Sequence, residues 1–350
     1  MPFSDIILQW YDQNKRDLPW RGSRDPYVIW LSEIMLQQTR VAQGMPYFLD
    51  FMEHYPAVED LARASEEEVL KRWEGLGYYS RARNLHHTAR HVAFTLGGAF
   101  PQSYKGLLEL KGVGPYTAAA IASVCFGEAV AVVDGNVYRV LSRYFGVDLE
   151  VNSSEGVRYF RELAASLIRE DRPGDYNQAV MEFGAVQCTP KSPSCQQCPL
   201  SGSCRALETG KVRELPVKRR GKEARLRRLH YLVPVGPGLE TCLLRRTGPG
   251  IWQGLFEFPC LETESEPTRD SMAACLQTTT GVPQESIADI RCFNAEPIVH
   301  KLSHQHLVTT FWIVFLDRAP ASAVSLEEAR SRPLPVLIAN FMDTVKNSYF

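Results

Sequence analysis

Carboxylates and thiols are the side chains of this sequence that could do chemistry. Glu33 lies in W-L-S-E-I-M-L-Q-Q-T, with Ile29, Leu31, Ile34 and Leu36 close by. A carboxylate in such apolar company is costly to ionise, so its pKa rises and it can hold a proton near neutral pH, as a general acid must. The same spacing also fits a solvated glutamate on an amphipathic helix. Asp134 stands in V-V-D-G-N-V at the head of another helical pattern; it is either a second working carboxylate or an N-cap. Cys188, Cys195, Cys198 and Cys204 follow C-x6-C-x2-C-x5-C, with Pro199 after the third. Four thiolates suit zinc or a cubane iron–sulfur cluster. Structural zinc sites usually pair two short hooks, whereas this loop has one.

These groups need elements to hold them. From the N-terminus to about Gln187 the apolar residues recur with helical period between Ser or Asp caps and Gly or Pro breaks, which predicts an all-α first domain. Asp25-Pro26 opens the helix carrying Glu33, and Ser65 with Glu68 forms a capping box. Trp30, Glu33 and Gln37 fall at i, i+3 and i+7, on one face. Residues 110–115 read L-K-G-V-G-P: Gly112 and Gly114 flank one apolar residue and Pro115 fixes the first turn of the next helix. This is a helix-hairpin-helix turn, whose bare amides and positive helix end can approach a DNA phosphate; a tight helix connection would look the same. Residues 211–228 hold nine Lys or Arg against Glu214 and Glu223, a local +7 in a chain of net charge −1. Any DNA contact is therefore local, and this segment is either a DNA-contacting arm or a solvated linker.

Length bounds the rest. At 350 residues and 45% hydrophobic content the chain has room for two domains. Nine cysteines, four of them crowded into one loop, point to a metal site in a reducing compartment. The start MPFSDIILQWYDQ has no basic segment ahead of an apolar core, and no apolar run reaches about 18 residues. The expectation is a cytoplasmic, nucleoid-associated protein with no membrane partner, acting as a monomer.

The hairpin followed by Asp134 resembles the helix-hairpin-helix superfamily of DNA glycosylases, and W-L-S-E-x-M-L-Q-Q-T is similar to the signature of its adenine DNA glycosylase (MutY) family. L-P-W-R at 18–21 and G-L-G-Y-Y-S-R-A-R-N-L at 75–85 also match, so that the resemblance covers nearly all of residues 5–205. It implies that Glu33 protonates adenine at N7 and that Asp134 supports the positive charge growing on the deoxyribose, as two carboxyls divide the work in glycoside hydrolysis. Asn136 would orient the hydrogen-bond network. Trp20, Arg21, Trp30 and Gln178 would line the adenine pocket; Gln37, Gln38, Thr39, Tyr78, Gly112 and Gly114 would meet DNA, with Gln37 and Tyr78 entering the stack. Tyr116 stands where the related endonuclease III has a lysine nucleophile, and a phenol cannot form a Schiff base. The resemblance therefore implies base excision without strand cleavage. The cysteine spacing is that of the endonuclease III class of 4Fe-4S cluster.

After Arg228 the pattern turns to strands: L-H-Y-L-V-P-V, E-T-C-L-L-R-R, L-F-E-F-P and H-L-V-T-T-F-W-I-V-F-L. R-R-T-G-P-G-I-W-Q-G-L-F-E-F-P resembles the start of a Nudix fold. The metal-holding R-E-x-x-E-E of working Nudix enzymes is replaced by M-A-A-C-L-Q-T-T-T-G at 272–281. The resemblance implies a reader of 8-oxoguanine, through a loop that is F-S-H in the family and Leu302-Ser303-His304 here. The expected layout is a helical glycosylase domain over 1–210, with the hairpin at 110–126 and the cluster loop at 188–204. A basic linker over 211–228 and an α+β Nudix-like lesion-recognition domain over 229–350 follow. The activity implied is excision of adenine opposite 8-oxoguanine or guanine in double-stranded DNA. Its rivals are a thymine-mismatch glycosylase and a non-catalytic, cluster-bearing DNA sensor.

Overall fold

A computed structural model describes residues 2–219, 221 and 223–349. The chain forms two compact units: Met1–Arg63 with Asn84–Arg220, and Ala64–Arg83 with Gly221–Phe350. Arg220 and Lys222 of the basic segment lie outside the described residues.

Among the described residues the first unit holds helices and turns but no strand. The helix Pro26–Leu36 starts where the Asp25 side chain accepts from Tyr27 N and Pro26 fixes the first turn. It buries Ile29, Trp30, Leu31, Ile34 and Met35, an apolar surface nearly all round, as a helix inside a core requires. Glu33 is thereby carried into that core. The helix Pro115–Phe126 packs against it and begins at Gly114, with Pro115 in its first turn. Gly112 has φ 80°, and a Cβ added there would lie 2.7 Å from Asn84 Cβ. Only glycine fits both the conformation and the space. Asp134 caps the helix Gly135–Phe145. The helix Pro173–Glu182 runs into a π-type turn, Phe183–Gln187, that delivers the chain to the first cysteine.

The expected linker behaves differently from a solvated arm. Val217 O accepts from Val151 N, Leu215 O accepts from Arg143 Nε, and Asn152 exchanges two hydrogen bonds with the backbone of Arg219. The segment is pinned to the helical unit, and at Arg225 the chain already enters a strand.

The second unit is built on a mixed sheet: β1 (Arg225–Val235), β2 (Leu244–Arg245), β3 (Phe256–Glu257), β4 (Cys260–Glu262), β5 (Ile287–Cys292), β6 (Ile298–Lys301) and β7 (Gln305–Leu316). The order is β4-β1-β7-β5, with β6 also on β7 and a separate β2–β3 pair. β1 and β7 run parallel from Arg225↔Gln305 to Val235↔Phe315. Alternation divides their side chains between two faces. Leu232, Trp312 and Val314 pack on Met272 and Leu276 of the helix Arg269–Thr280. On the other face Phe311 stacks on Phe341 of the terminal helix Val336–Tyr349, centroids 3.8 Å apart. The run E-T-C-L-L-R-R yields only the two-residue β2 and an isolated bridge at Thr241, because Pro- and Gly-rich flanks leave it short. The segment Ala64–Arg83, helical in its sequence pattern, packs with this sheet unit.

Candidate active site

Glu33 is 7% exposed. Burial, with a further push from Asp134, raises its carboxyl to about 7, although a hydrogen bond from Tyr116 pulls the other way. The apolar residues beside Glu33 in sequence thus bury it in the fold, and it is not a solvated side chain. The Tyr116 phenol is driven well above its ordinary pKa by burial and by the two carboxyls, so it stays protonated and serves Glu33 as a donor. Its oxygen also lies 3.3 Å from Met181 Sδ. Asp134 is both a cap and a site group: Oδ1 accepts from Asn136 N at 2.9 Å and Val137 N at 2.8 Å, and Oδ2 accepts from Asn136 Nδ2 at 2.8 Å. Burial raises its pKa while these three donors lower it. Held so, its charge is aimed rather than free to turn. Asn136 Oδ1 in turn accepts from Arg139 Nη2 at 2.8 Å.

Tyr116, Asp134 and Asn136 open on a cleft of about 890 Å³ that Gln37, Gln38, Thr39 and Gly114 also line. Gln37 Nε2 donates to Thr117 Oγ1 at 3.2 Å, and Gln38 sits in the left-handed region with φ 56°. Trp20 and Trp30 are core residues, 4% and 1% exposed. Trp20 meets the edge of Phe48, and Trp30 lies between Tyr27 and Phe100; Trp30 Nε1 is buried without a hydrogen-bond partner. Arg21 donates to Glu182 at 2.5 Å and stands over the Tyr11 ring. Glu182 was not singled out by sequence. It is 1% exposed, takes Arg16 Nε at 2.7 Å as well, and despite its burial is held down to about 2 by the two arginines. Gln178 is half-buried on the helix Pro173–Glu182.

The four cysteines ring a cavity of about 30 Å³, with Arg143 on its wall. Arg143 Nη1 lies 3.4 Å from Cys188 Sγ and donates to Thr189 O at 2.8 Å, a cation placed where thiolates would need one. Burial pushes the Cys198 thiol up to about 11 and raises Cys204 as well, so all-thiolate ligation needs a metal centre to drive deprotonation. Cys188, Cys195, Cys198 and Cys204 are the residues that would hold an iron–sulfur cluster here.

In the second unit, Leu302-Ser303-His304 forms the turn between β6 and β7, closed by Leu302 N to Gln305 O at 2.9 Å. Ser303 Oγ and the Tyr78 hydroxyl are hydrogen bonded at 2.5 Å. The structure therefore brings Tyr78 to Ser303. His304 is exposed. Tyr78 is 44% exposed and has φ 49°.

A hairpin able to seat a phosphate, feeding a helix packed on a proton-holding glutamate, is the working core of DNA glycosylases of the helix-hairpin-helix class. Family models agree: one described as "HhH-GPD superfamily base excision DNA repair protein" matches residues 31–165, "Iron-sulfur binding domain of endonuclease III" matches 188–204, and "NUDIX domain" matches 231–344. The adenine DNA glycosylase of Mus musculus is 36% identical over 91% of this chain and 72% of its own length. That of Homo sapiens is 41% identical over 80% of this chain but only 52% of its own length. The structure of a thermostable thymine-DNA glycosylase aligns with TM-score 0.55 and 36% identity, covering 59% of this chain and 95% of that one. The chain belongs to the adenine DNA glycosylase family: it is a base-excision-repair DNA N-glycosylase that carries a 4Fe-4S cluster and a Nudix domain. No helix among the described residues is long and apolar enough to cross a membrane.

Proposed function

We propose that the protein hydrolyses the N-glycosidic bond of adenine mispaired with 8-oxoguanine or guanine in double-stranded DNA and leaves the strand uncut. One observation carries this reading: Glu33, at about 7, is poised to give a proton, while Asp134 is fixed by three donors to stay near a developing cation. Glu33 donates to N7 of the extruded adenine, the C1′–N9 bond breaks with its electron pair going to the base, and Asp134 supports the sugar cation. Water adds at C1′, and its proton returns to the carboxylate. Tyr116 holds Glu33 in place and offers no amine, so no Schiff base forms.

Gly114 and the amide end of the helix Pro115–Phe126 suit a DNA phosphate, and Gln37, Gln38 and Thr39 line the same cleft. Trp20, Trp30, Arg21 and Gln178 are assigned to the adenine pocket as its wall, with Arg21 oriented by Glu182. Residues 1–210 form the catalytic part and 229–350 the lesion reader, with Ser303 and His304 facing 8-oxoguanine and Gln37 and Tyr78 entering the DNA stack. Against a thymine-mismatch glycosylase stands the extent of likeness. The thymine-DNA glycosylase structure covers 59% of this chain, whereas the mouse adenine glycosylase matches 91%. The test incubates purified protein with duplexes holding A opposite 8-oxoguanine, G, C or T, and T opposite G. Alkali-labile sites should appear at A opposite 8-oxoguanine and G alone; cleavage at T opposite G would refute the assignment.

A further inference from the structure

We propose that Glu74 is a positioning residue for Tyr78, acting through a brace formed by residues 330–334; this rests on the reading of Tyr78 as the side chain that enters the DNA stack. Glu74 sits at the start of the loop 75–78 that presents Tyr78. Its Oε2 accepts from Lys71 Nζ at 3.0 Å and from Leu334 N at 3.3 Å, and its Oε1 accepts from Arg330 Nη1 at 2.8 Å. At the other end of the loop the Tyr79 hydroxyl donates to Leu334 O at 3.2 Å and accepts from Gly75 N at 3.3 Å. Both ends of the loop are therefore anchored to the same few residues of the brace. Lys71 Nζ adds bonds to Arg330 O at 2.8 Å and Arg332 O at 3.2 Å, and Arg332 pairs with Glu67 at 2.9 Å.

The loop needs such support. Tyr78 has φ 49°, a conformation that a residue with a Cβ keeps only when its surroundings impose it. A side chain that must part stacked bases also has to be fixed before it meets them, since unstacking is the cost the intruder must offset. From the first turn of the helix Ser80–Phe94, buried Arg81 reinforces the loop's shape: it lies 5.3 Å from the Trp73 ring and 5.5 Å from the Tyr78 ring and donates to the carbonyls of Leu76 and Gly77. Glu74 ties this assembly to the brace beside Lys71 and Tyr79 and is the acidic group among the three; its side chain is 14% exposed, so its pairing is poorly screened by solvent. The brace lies in the same compact unit as Ser303, which places wedge and reading loop on one support.

The test uses the full, cluster-loaded protein and compares Glu74→Gln, Arg330→Gln, Arg330→Lys and Tyr78→Ala. Base extrusion is followed by the fluorescence of 2-aminopurine placed at the target adenine, and single-turnover excision by two substrates: adenine opposite guanine, and adenine opposite an abasic gap, where less stacking must be broken. Glu74→Gln and Arg330→Gln should slow extrusion and excision from the paired duplex roughly tenfold, the factor one charge-assisted hydrogen bond carries. They should barely alter the gapped substrate, Arg330→Lys should recover most of the loss, and Glu74→Gln should add nothing to Tyr78→Ala. If Tyr78→Ala slows the paired substrate and Glu74→Gln does not, the brace is overturned while the wedge stands. Equal slowing on both substrates would mean that Glu74 acts on general stability, which also overturns it. A Tyr78→Ala protein as fast as wild type removes the wedge reading, and the brace with it.

Discussion

Replacing Glu33 by glutamine should abolish excision and at the same time stabilise the protein at high pH. Moving a carboxyl from its ordinary 4.5 to about 7 multiplies its protonated-to-ionised ratio by about 300. At pH 7 roughly half of the Glu33 side chains then carry a proton, against about 0.3% for an ordinary glutamate. Because the acid form is the working form, wild-type single-turnover excision should fall about tenfold per pH unit above 7, and the amide, which has no proton to give, should lose roughly 10²–10⁴-fold. The sign for stability follows from the same shift. The folded protein holds this proton more tightly than the unfolded chain, so the contribution is fully present below pH 4.5 and is lost as pH rises through about 7. At pH 8 the ionised, buried carboxylate costs up to about 3 kcal/mol, which glutamine avoids while still accepting the Tyr116 hydrogen bond. Calorimetry at pH 8 should show the helical transition of Glu33→Gln raised by roughly 5–10 °C, with little difference at pH 5. Excision by the variant within tenfold of wild type, or a flat wild-type rate between pH 6 and 9, would refute the assignment of Glu33 as the acid.

Other outcomes follow from the same geometry. Wild type should leave intact abasic strands and resist borohydride trapping, whereas Tyr116→Lys should trap; efficient trapping of wild type would mean that a different amine does the work. Cys198→Ser should lose iron, inorganic sulfide and absorption near 400 nm together, and zinc without sulfide in anaerobically prepared wild type would contradict the cluster. Ser303→Ala with His304→Ala should reduce the preference for adenine opposite 8-oxoguanine over adenine opposite guanine by a factor of about 5 to 100, the worth of one or two hydrogen bonds. An unchanged ratio would remove the reading role of that turn.

Much of this site was legible because local chemistry and burial coincide in it. Glu33 is surrounded in sequence by the same kind of residue that surrounds it in space, and Asp25-Pro26 and Gly112-Val113-Gly114-Pro115 encode their turns with residues that few alternatives could replace. Glu182, set between Met181 and Phe183, carried the same signal as Glu33, yet its effect is opposite. Arg16 and Arg21, 166 and 161 residues away, hold it ionised. No local pattern announces such partners. The attachment of Ala64–Arg83 to the sheet unit was equally hidden, since Glu67, Lys71 and Glu74 read as an ordinary charged helix face until Arg330 and Arg332 meet them. A fragment ending near residue 220 would therefore lose more than the proposed lesion reader: it would strip these side chains, and the loop that presents Tyr78, of their support.

The cysteine loop bears on the active site through hydrogen bonds rather than through proximity. Arg139 receives its position from four groups: Nε donates to Cys188 O at 2.7 Å, Nη1 to Gly135 O at 3.2 Å, and Nη2 to Gly184 O at 2.6 Å and to Asn136 Oδ1 at 2.8 Å. Asn136 then holds Asp134, so one buried guanidinium joins the backbone of the first cysteine to the carboxylate proposed to face the sugar cation. Arg139 is 8% exposed and its pKa is lowered by burial, which makes each of those acceptors expensive to lose. If the loop unfolded, Cys188 O would leave and Arg139 would turn toward whatever acceptor remained. Any turn of Arg139 would act on Asn136 through their shared hydrogen bond, and through Asn136 on the Nδ2 donor to Asp134 Oδ2. A carboxylate held by its helix cap alone keeps the amides of Asn136 and Val137, but the side-chain donor that aims its second oxygen is gone. Preorganised charge stabilises a cation only where it points, so if Asp134 faces the sugar cation as proposed, the bond from Arg139 Nε to Cys188 O makes the cysteine loop part of what aims it.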